Sequence, residues 1–244
     1  MRTVAIIPAR YASTRLPGKP LLADTGKPLI QHVVEAAAAA ETIEAVYVAT
    51  DDVRIFDAVK AFGGRPVMTA AGHATGTDRL AEAAERVGLA DDDVVVNVQG
   101  DEPEMDPASI DALVRLLLET GAPMATLAAP LSSEAADSPA NVKVVLAADG
   151  AALYFSRAKV PFDRDGAAPQ YLLHLGIYAY RKRFLAEYMA LPPGQLEQAE
   201  RLEQLRALQA GHRIAVAVVA SASPGIDTPE DYAAFVARCR EWRE

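Results

Sequence analysis

Apolar and polar positions fall into two alternating textures along this chain. Short runs rich in β-branched residues, "TVAIIPA", "EAVYVAT" and "DDVVVNVQ", are apolar at consecutive positions and not only at every second one. That pattern predicts strands buried on both faces, as in a mostly parallel sheet. Between them lie Ala-rich stretches with apolar residues three and four apart. They predict helices from about Pro28 to Ala40, from near Asp52, from Asp78 to Val87 and from Pro107 to Glu119, with "PMATLAAPL" as a further strand. The order is βαβ, and the fold class it predicts is α/β, with a doubly wound, mostly parallel sheet.

From about Asn141 to Tyr180 the texture changes. "NVKVVLAADGAALYFSRAKVPF" and "LHLGIYAYR" read as strands joined by turns with no long helix between them, which predicts a β-rich extension over about 130–180. The chain then returns to type with a helix from about Glu197 to Ala210, the strand "RIAVAVV" and a last helix from "TPEDY" to Trp242. Thr228 is placed to cap that helix, Pro229 to occupy its first position, and two acids fall in its first turn. No repeat or Pro/Gly/Ser linker divides the sequence, so residues 1–244 are expected to form one domain that contains the extension.

Composition narrows the picture. At 244 residues and 51% apolar, the chain can bury a sizeable core. A net charge of −9 excludes broad electrostatic adhesion to nucleic acid or to anionic membranes. Cys239 is the single cysteine, which rules out an intrachain disulfide and a cysteine-based zinc site and suits a reducing, cytoplasmic setting. The chain starts straight into strand-like residues without a signal-peptide pattern, and its longest apolar runs fall far short of the ~20 residues a membrane helix needs.

Against that acidic background the loop after the first strand stands out. It carries Arg10, Arg15 and Lys19, separated by Ser13, Pro17 and Gly18. In open α/β sheets ligands bind beyond the carboxyl ends of the strands, so a kinked loop there can aim several cations at one polyanion. A triphosphate fits best. The loop matches neither the GxxxxGK[ST] nor the GxGxxG pattern, which takes support from kinase and dehydrogenase readings. Solvated loop cations paired with acidic residues are the plainer reading.

Two carboxylates share the same kind of position. Asp101 follows the buried run in "VVVNVQGDEP", and Asp227 in "GIDTPEDY" sits between a strand and a helix. Both suit a hard divalent metal, which takes one or two protein carboxylates together with phosphate oxygens. A turn or cap is the alternative for Asp227. Glu102 and Asp106 are expected at a helix entry or in solvent, and Asp51 and Asp52 at a helix cap.

These residues resemble a known family. "IPARYASTRLPGKPL", "GKPLIQHV", "VATDD", "ATGTDRLAEA", "VVNVQGDEP", "NVKVV", "ALYFSRAKVPFDRD", "LHLGIYAYR", "RLEQLRAL" and "GIDTPEDY" occur in the order found in the 3-deoxy-manno-octulosonate (Kdo) cytidylyltransferases, the CMP-Kdo synthetases. The resemblance covers nearly the whole chain. It implies a nucleotide-diphospho-sugar transferase-like fold and transfer of CMP from CTP to the anomeric hydroxyl of Kdo, with release of pyrophosphate, for lipopolysaccharide biosynthesis. It also implies Mg²⁺ on Asp101 and Asp227, triphosphate charge offset by Arg10, Arg15 and Lys19, and a homodimer built through the β-rich extension.

On the sugar-acid side the resemblance points to Arg157 and His174, with Gln99, Glu203 and Gln204 as hydroxyl partners. Thr75 and Arg79 in "ATGTDR" are candidates for the cytosine pocket. The same residues have plainer readings. A histidine between leucines is commonly a core residue, Glu203 and Gln204 at helical spacing form a solvated face, and Arg157 can be an ion-pair partner. The general base stays unassigned. The chain departs from the family in a short segment between "PFDRD" and "LHLGIY", and in Leu173, which stands where the family commonly carries a basic residue. Other acceptors, such as an 8-amino Kdo analogue, sialic acid or methylerythritol phosphate, and a non-catalytic nucleotide-binding protein, remain as alternatives.

Overall fold

The computed structural model describes residues 1–12, 16–73 and 75–241. The chain divides into two compact units, Met1–Asp111 with Ser223–Glu244, and Ala112–Ala222.

The first unit is built on four parallel strands, Thr3–Ala9 (β1), Ala45–Thr50 (β2), Pro66–Met68 (β3) and Val94–Asn97 (β4), in the spatial order β3-β2-β1-β4. Val4 to Ile7 of β1 and Val94 to Val96 of β4 are almost wholly buried, as consecutive apolar positions require of strands covered on both faces. Helices Leu29–Ala38 (α1), Val53–Ala61 (α2) and Gly76–Arg86 (α3) follow, and Pro107–Thr120 (α4) carries the chain across the unit boundary. The order of strands reverses at β1, because β2 and β3 lie on one side of it and β4 on the other. The loops leaving β1 and β4 therefore part company, and a crevice opens between their carboxyl ends.

Gly100 lets those two strand ends come close. A Cβ there would stand 3.0 Å from the Pro8 carbonyl oxygen, tighter than nine in ten such contacts, so the backbone would have to give by a few tenths of an ångström. In the loop after β1, Gly18 has φ of 68°, a left-handed conformation that glycine adopts without strain, and it starts the short 3₁₀ turn Lys19–Leu21.

The second unit centres on Met124–Leu131 (β5). It pairs antiparallel with Tyr171–Arg181 (β8) and parallel with Ile214–Val218 (β9). Lys143–Leu146 (β6) and Ala152–Ser156 (β7) form an antiparallel hairpin, and Lys143 registers with Leu173 of β8. The β-rich texture noted over 130–180 is this hairpin together with most of β8. Short helices Ser133–Ala136 (α5), Lys182–Ala190 (α6), Gln195–Glu200 (α7) and Gln204–Gln209 (α8) complete the unit. The class is α/β, a mixed and mostly parallel architecture with flanking helices.

One expected helix differs in detail. The single helix from Glu197 to Ala210 is two, because Arg201 turns left-handed at φ 54° and breaks the 3.6-residue repeat before Leu202 is buried. The last helix, Pro229–Glu241 (α9), starts as expected. Asp231 N–H donates to the Thr228 hydroxyl at 3.2 Å, and the Asp231 carboxylate accepts from the Thr228 and Asp227 amides. Its far end at Trp242 lies outside the described residues.

Candidate active site

The crevice at the reversal point is a cleft of about 420 Å³ whose walls include Arg10, Lys19, Gln99, Gly100, Asp101 and Asp227. Five of the sequence-selected residues of this unit, Arg10, Lys19, Gln99, Asp101 and Asp227, are thus brought to one place. Arg15 lies outside the described residues.

Lys19 is the centre of the arrangement. Its ammonium donates to Asp101 Oδ2 at 2.9 Å and to the Ile226 carbonyl at 2.7 Å, and lies 3.6 Å from Asp227 Oδ1. Two carboxylates from distant parts of the chain therefore share one cation. The Asp101 carbonyl also accepts from the Ile226 amide at 2.9 Å, which ties the two acidic segments together. Arg10 spends its Nη2 on the His73 and Thr75 carbonyls, each at 3.0 Å, and so links the β1 loop to the segment before α3.

The donor set is suited to a hard cation. Asp101 and Asp227 offer carboxylate oxygens, and the ammonium between them marks a place where positive charge is already stable. Among the described residues no group of three or more His, Cys, Asp or Glu side chains gathers into a metal cage. A pair of carboxylates at an open cleft is what Mg²⁺ takes when substrate phosphates supply its other ligands.

Glu102, expected at a helix entry or in solvent, is half-buried in the turn that leads toward α4. Burial pushes its carboxyl up to about 7, and the neighbouring Asp101 charge adds to the effect. Asp106 does what was expected, accepting from the Ala108 and Ser109 amides at the entry to α4. Asp52 caps α2 through the Arg54 amide. Asp51 instead pairs with Arg79.

Thr75 and Arg79 take up structural bonds. The Thr75 hydroxyl caps α3 by accepting from the Asp78 amide, and the Asp78 carboxylate accepts from the Thr75 amide in return. Arg79 is completely buried. Its Nη1 donates to the Thr69 hydroxyl at 2.6 Å and its Nη2 lies 3.2 Å from Asp51 Oδ1, so it ties together the loops after β2 and β3. A smaller cleft of about 310 Å³ beside it is walled by Arg10, Tyr11, Asp51, Asp52, Arg54 and Arg79.

The second unit holds the other candidates. Arg157, at the end of β7, donates from Nε to the Glu200 carbonyl at 2.8 Å and from Nη1 to the Pro139 carbonyl at 3.0 Å. Two residues that the sequence reading passed over hold it. The Glu200 carboxylate accepts from the Arg157 amide and the Ser156 hydroxyl, and Lys143 donates to the Arg157 carbonyl at 2.6 Å. Lys143 is wholly buried, with its three protons matched by the Ser138, Asn141 and Arg157 carbonyls. A lysine inside the apolar run "NVKVV" was the only sequence signal for it.

His174 sits on β8 beside a bulge, where the register against β5 shifts between Thr126 and Leu127. The Thr126 hydroxyl lies 2.7 Å from the Ile177 carbonyl, 3.0 Å from the Leu175 carbonyl and 3.1 Å from His174 Nε2. Its one proton goes to a carbonyl, so its oxygen accepts from Nε2–H and the ring lone pair is on Nδ1. Phe155 meets the ring edge-on at 4.8 Å, and Tyr178 lies at 5.5 Å. Burial drives the imidazole down to about 3, which keeps it neutral. Gln204, at the start of α8, is buried, and its Nε2 has no hydrogen-bond partner among the described residues. Glu203 precedes it at the helix cap and lines a separate cleft of about 300 Å³ with Arg201 and Leu202.

A cationic loop and two carboxylates at the reversal point of a parallel sheet define a nucleotide-handling α/β transferase. A family model described as Cytidylyltransferase matches residues 4–214, and the chain belongs to that family of nucleotidyltransferase enzymes. It is 54% identical over 240 residues to a 3-deoxy-manno-octulosonate cytidylyltransferase of Syntrophobacter fumaroxidans, covering 97% of this chain and 96% of the relative. It is 53% identical over 234 residues to an 8-amino-3,8-dideoxy-manno-octulosonate cytidylyltransferase of Shewanella amazonensis, covering 95% and 96%. Among solved structures, a CMP:2-keto-3-deoxy-manno-octonic acid synthetase complexed with CTP is 45% identical, with a TM-score of 0.95 and coverage of 99% of this chain and 100% of that one.

Proposed function

We propose that this protein transfers CMP from CTP to the anomeric hydroxyl of Kdo, releasing pyrophosphate. One observation carries the chemistry. The Lys19 ammonium stands between the Asp101 and Asp227 carboxylates in a cleft at the mouth of β1 and β4. The likeness to Kdo cytidylyltransferases over almost the full chain carries the choice of substrates.

Asp101 and Asp227 would hold Mg²⁺ in this reading. When bound, the ion draws charge from the triphosphate and favours the ionised acceptor hydroxyl. Lys19 and Arg10, which line the cleft, offset phosphate charge in this reading, together with Arg15 of the same loop. The sugar oxygen forms a bond to the α-phosphorus as the bond from that phosphorus to the bridging oxygen breaks. Pyrophosphate leaves with the electron pair, and the hydroxyl proton passes to solvent. Oriented charge around the phosphates supplies the main stabilisation.

Arg157 supplies a cation for the sugar carboxylate. His174, held neutral with its lone pair on Nδ1, accepts from a hydroxyl, and the buried Gln204 amide donates to another. Gln99 and Glu203 complete the hydroxyl contacts, while Thr75 and Arg79 frame the cytosine side. The enzyme acts as a homodimer, and Leu153 and Phe162, exposed at 61% and 85% in the 130–180 region, are apolar surface for such a contact. Among the described residues no helix is long and apolar enough to cross a membrane. The lone, buried Cys239 supports the cytoplasm as the place of work.

The test is pyrophosphate release with CTP and Mg²⁺, with Kdo present, absent or replaced by its 8-amino analogue, and with UTP, ATP and GTP as controls. Release that needs both CTP and Kdo is the expected result. Release only with the 8-amino acceptor would move the protein to the specificity of its Shewanella relative, and no release with either acceptor would overturn the reading.

A further inference from the structure

Asp101 and Asp227 belong to segments that meet only in the folded chain, so something must fix their spacing and mutual orientation. The hydrogen bond from the Ile226 amide to the Asp101 carbonyl and the Lys19 ammonium that bridges the same residues lie together at one end of the loop, and attachments gathered at one point act as a pivot. A second attachment lies three residues further along the β4 loop. There the Glu104 carboxylate, one-tenth exposed, accepts a forked pair of bonds from Arg238 on the last turn of α9. Nε donates to Oε1 at 2.9 Å and Nη2 to Oε2 at 2.5 Å.

The geometry points to Glu104 and Arg238 as a positioning pair that holds the two acidic segments in register. This rests on the reading above, in which Asp101 and Asp227 hold the metal. Arg238 lies roughly 15 Å along the helix axis from Asp227, from the rise per residue of an α-helix. The loop from Asp101 to Glu104 is thus fastened to the Asp227–α9 segment at two well-separated points. Two fastenings remove the rotation that one allows. A planar fork against a carboxylate also fixes direction as well as distance, which a single ammonium contact does not.

The pair is not what docks α9. Its apolar side, Tyr232, Phe235, Val236 and Cys239, packs in a cluster with Leu16, Leu29 and Ile226, and the Tyr232 hydroxyl accepts from the Asp24 amide at 2.9 Å. Those contacts remain when the fork is removed. The loss therefore falls on alignment of the carboxylates more than on folding.

The experiment measures Mn²⁺ binding in the presence of CTP by electron paramagnetic resonance, with kcat, KM for CTP and thermal midpoint alongside. The proteins are the wild type, Glu104→Gln, Arg238→Gln, the double variant, and the exchanged pair Glu104→Arg with Arg238→Glu. Each single variant is expected to weaken Mn²⁺ binding roughly 10-fold, the lower end of the range for residues that support metal ligands from behind. The double variant should be no worse than either single one, and the exchanged pair should recover part of the loss. Arg238→Lys, which keeps the charge and loses the fork, should fall between, and it serves if Arg238→Gln does not fold. Wild-type Mn²⁺ affinity in both single variants, even with a lowered midpoint, would overturn the inference alone. A wild-type protein that binds no Mn²⁺ with CTP present would overturn the metal reading itself, and this inference with it.

Discussion

Lys19 and Asp101 lie 82 residues apart in the chain and 2.9 Å apart in space, with the Lys19 ammonium also reaching toward Asp227. This contact has a direct consequence for stability and for rate. Lys19→Met leaves two carboxylates facing each other across the cleft without a cation. Without divalent metal the variant should melt below the wild type, and added Mg²⁺ should raise its midpoint by more than it raises that of the wild type. Its kcat/KM should fall on the order of 100-fold, the scale of losing one preorganised charge at a developing oxyanion. Thermal melts with and without Mg²⁺, and steady-state kinetics, check both.

Gly100→Ala tests the closeness of β1 and β4. The added methyl would lie 3.0 Å from the Pro8 carbonyl oxygen, and backbone must move to admit it. The expected cost is about 1–3 kcal/mol of stability, with a fall in turnover because Asp101 is the next residue. Urea unfolding and activity read the two effects together.

His174 gives a pH prediction. Its folded-state value, driven down to about 3 by burial, lies below the unfolded value near 6.5, so the unfolded chain binds the extra proton between those limits. The His174 contribution to stability is intact above about pH 6.5 and is lost as pH falls toward 3, a loss of about 3 kcal/mol by pH 4.5. His174→Gln should flatten that part of the stability curve. Nuclear magnetic resonance of the imidazole should show no titration near pH 6.5; a midpoint there would contradict the buried, neutral ring.

Arg157→Lys separates binding from architecture. The lysine keeps the charge and loses the forked geometry. If Arg157 holds the sugar carboxylate, KM for Kdo should rise by about 10-fold or more while KM for CTP stays within about twofold. Equal loss in both would assign Arg157 to the carbonyl contacts with Pro139 and Glu200 alone.

What was legible in the sequence follows physical lines. Runs such as "TVAIIPA" and "VVVN" announce strands buried on both faces because every position must be apolar, and Thr228, Pro229 and Asp231 announce the start of α9 because capping is local chemistry. The break at Arg201 was not legible, since a left-handed turn at a residue other than glycine leaves no mark in the apolar repeat. The raised carboxyl of Glu102 was not legible for a related reason. Its neighbours in sequence are polar, and its burial is a tertiary fact. The joining of Lys19 to both Asp101 and Asp227 could be expected from three loops at one sheet edge, but only the fold sets the distances. The support that Glu200 and Lys143 give to Arg157 arises from pairings across the second unit and has no signature in spacing.

The most direct measurement is turnover of Asp101→Asn with CTP, Kdo and Mg²⁺, beside its circular dichroism spectrum and thermal midpoint. The substitution keeps the shape of the side chain and removes its charge. The account predicts a loss of about 1,000-fold or more in kcat with a wild-type spectrum, because charge at this position is needed to hold the metal against the triphosphate. Turnover at the wild-type rate in a folded Asp101→Asn protein would contradict it.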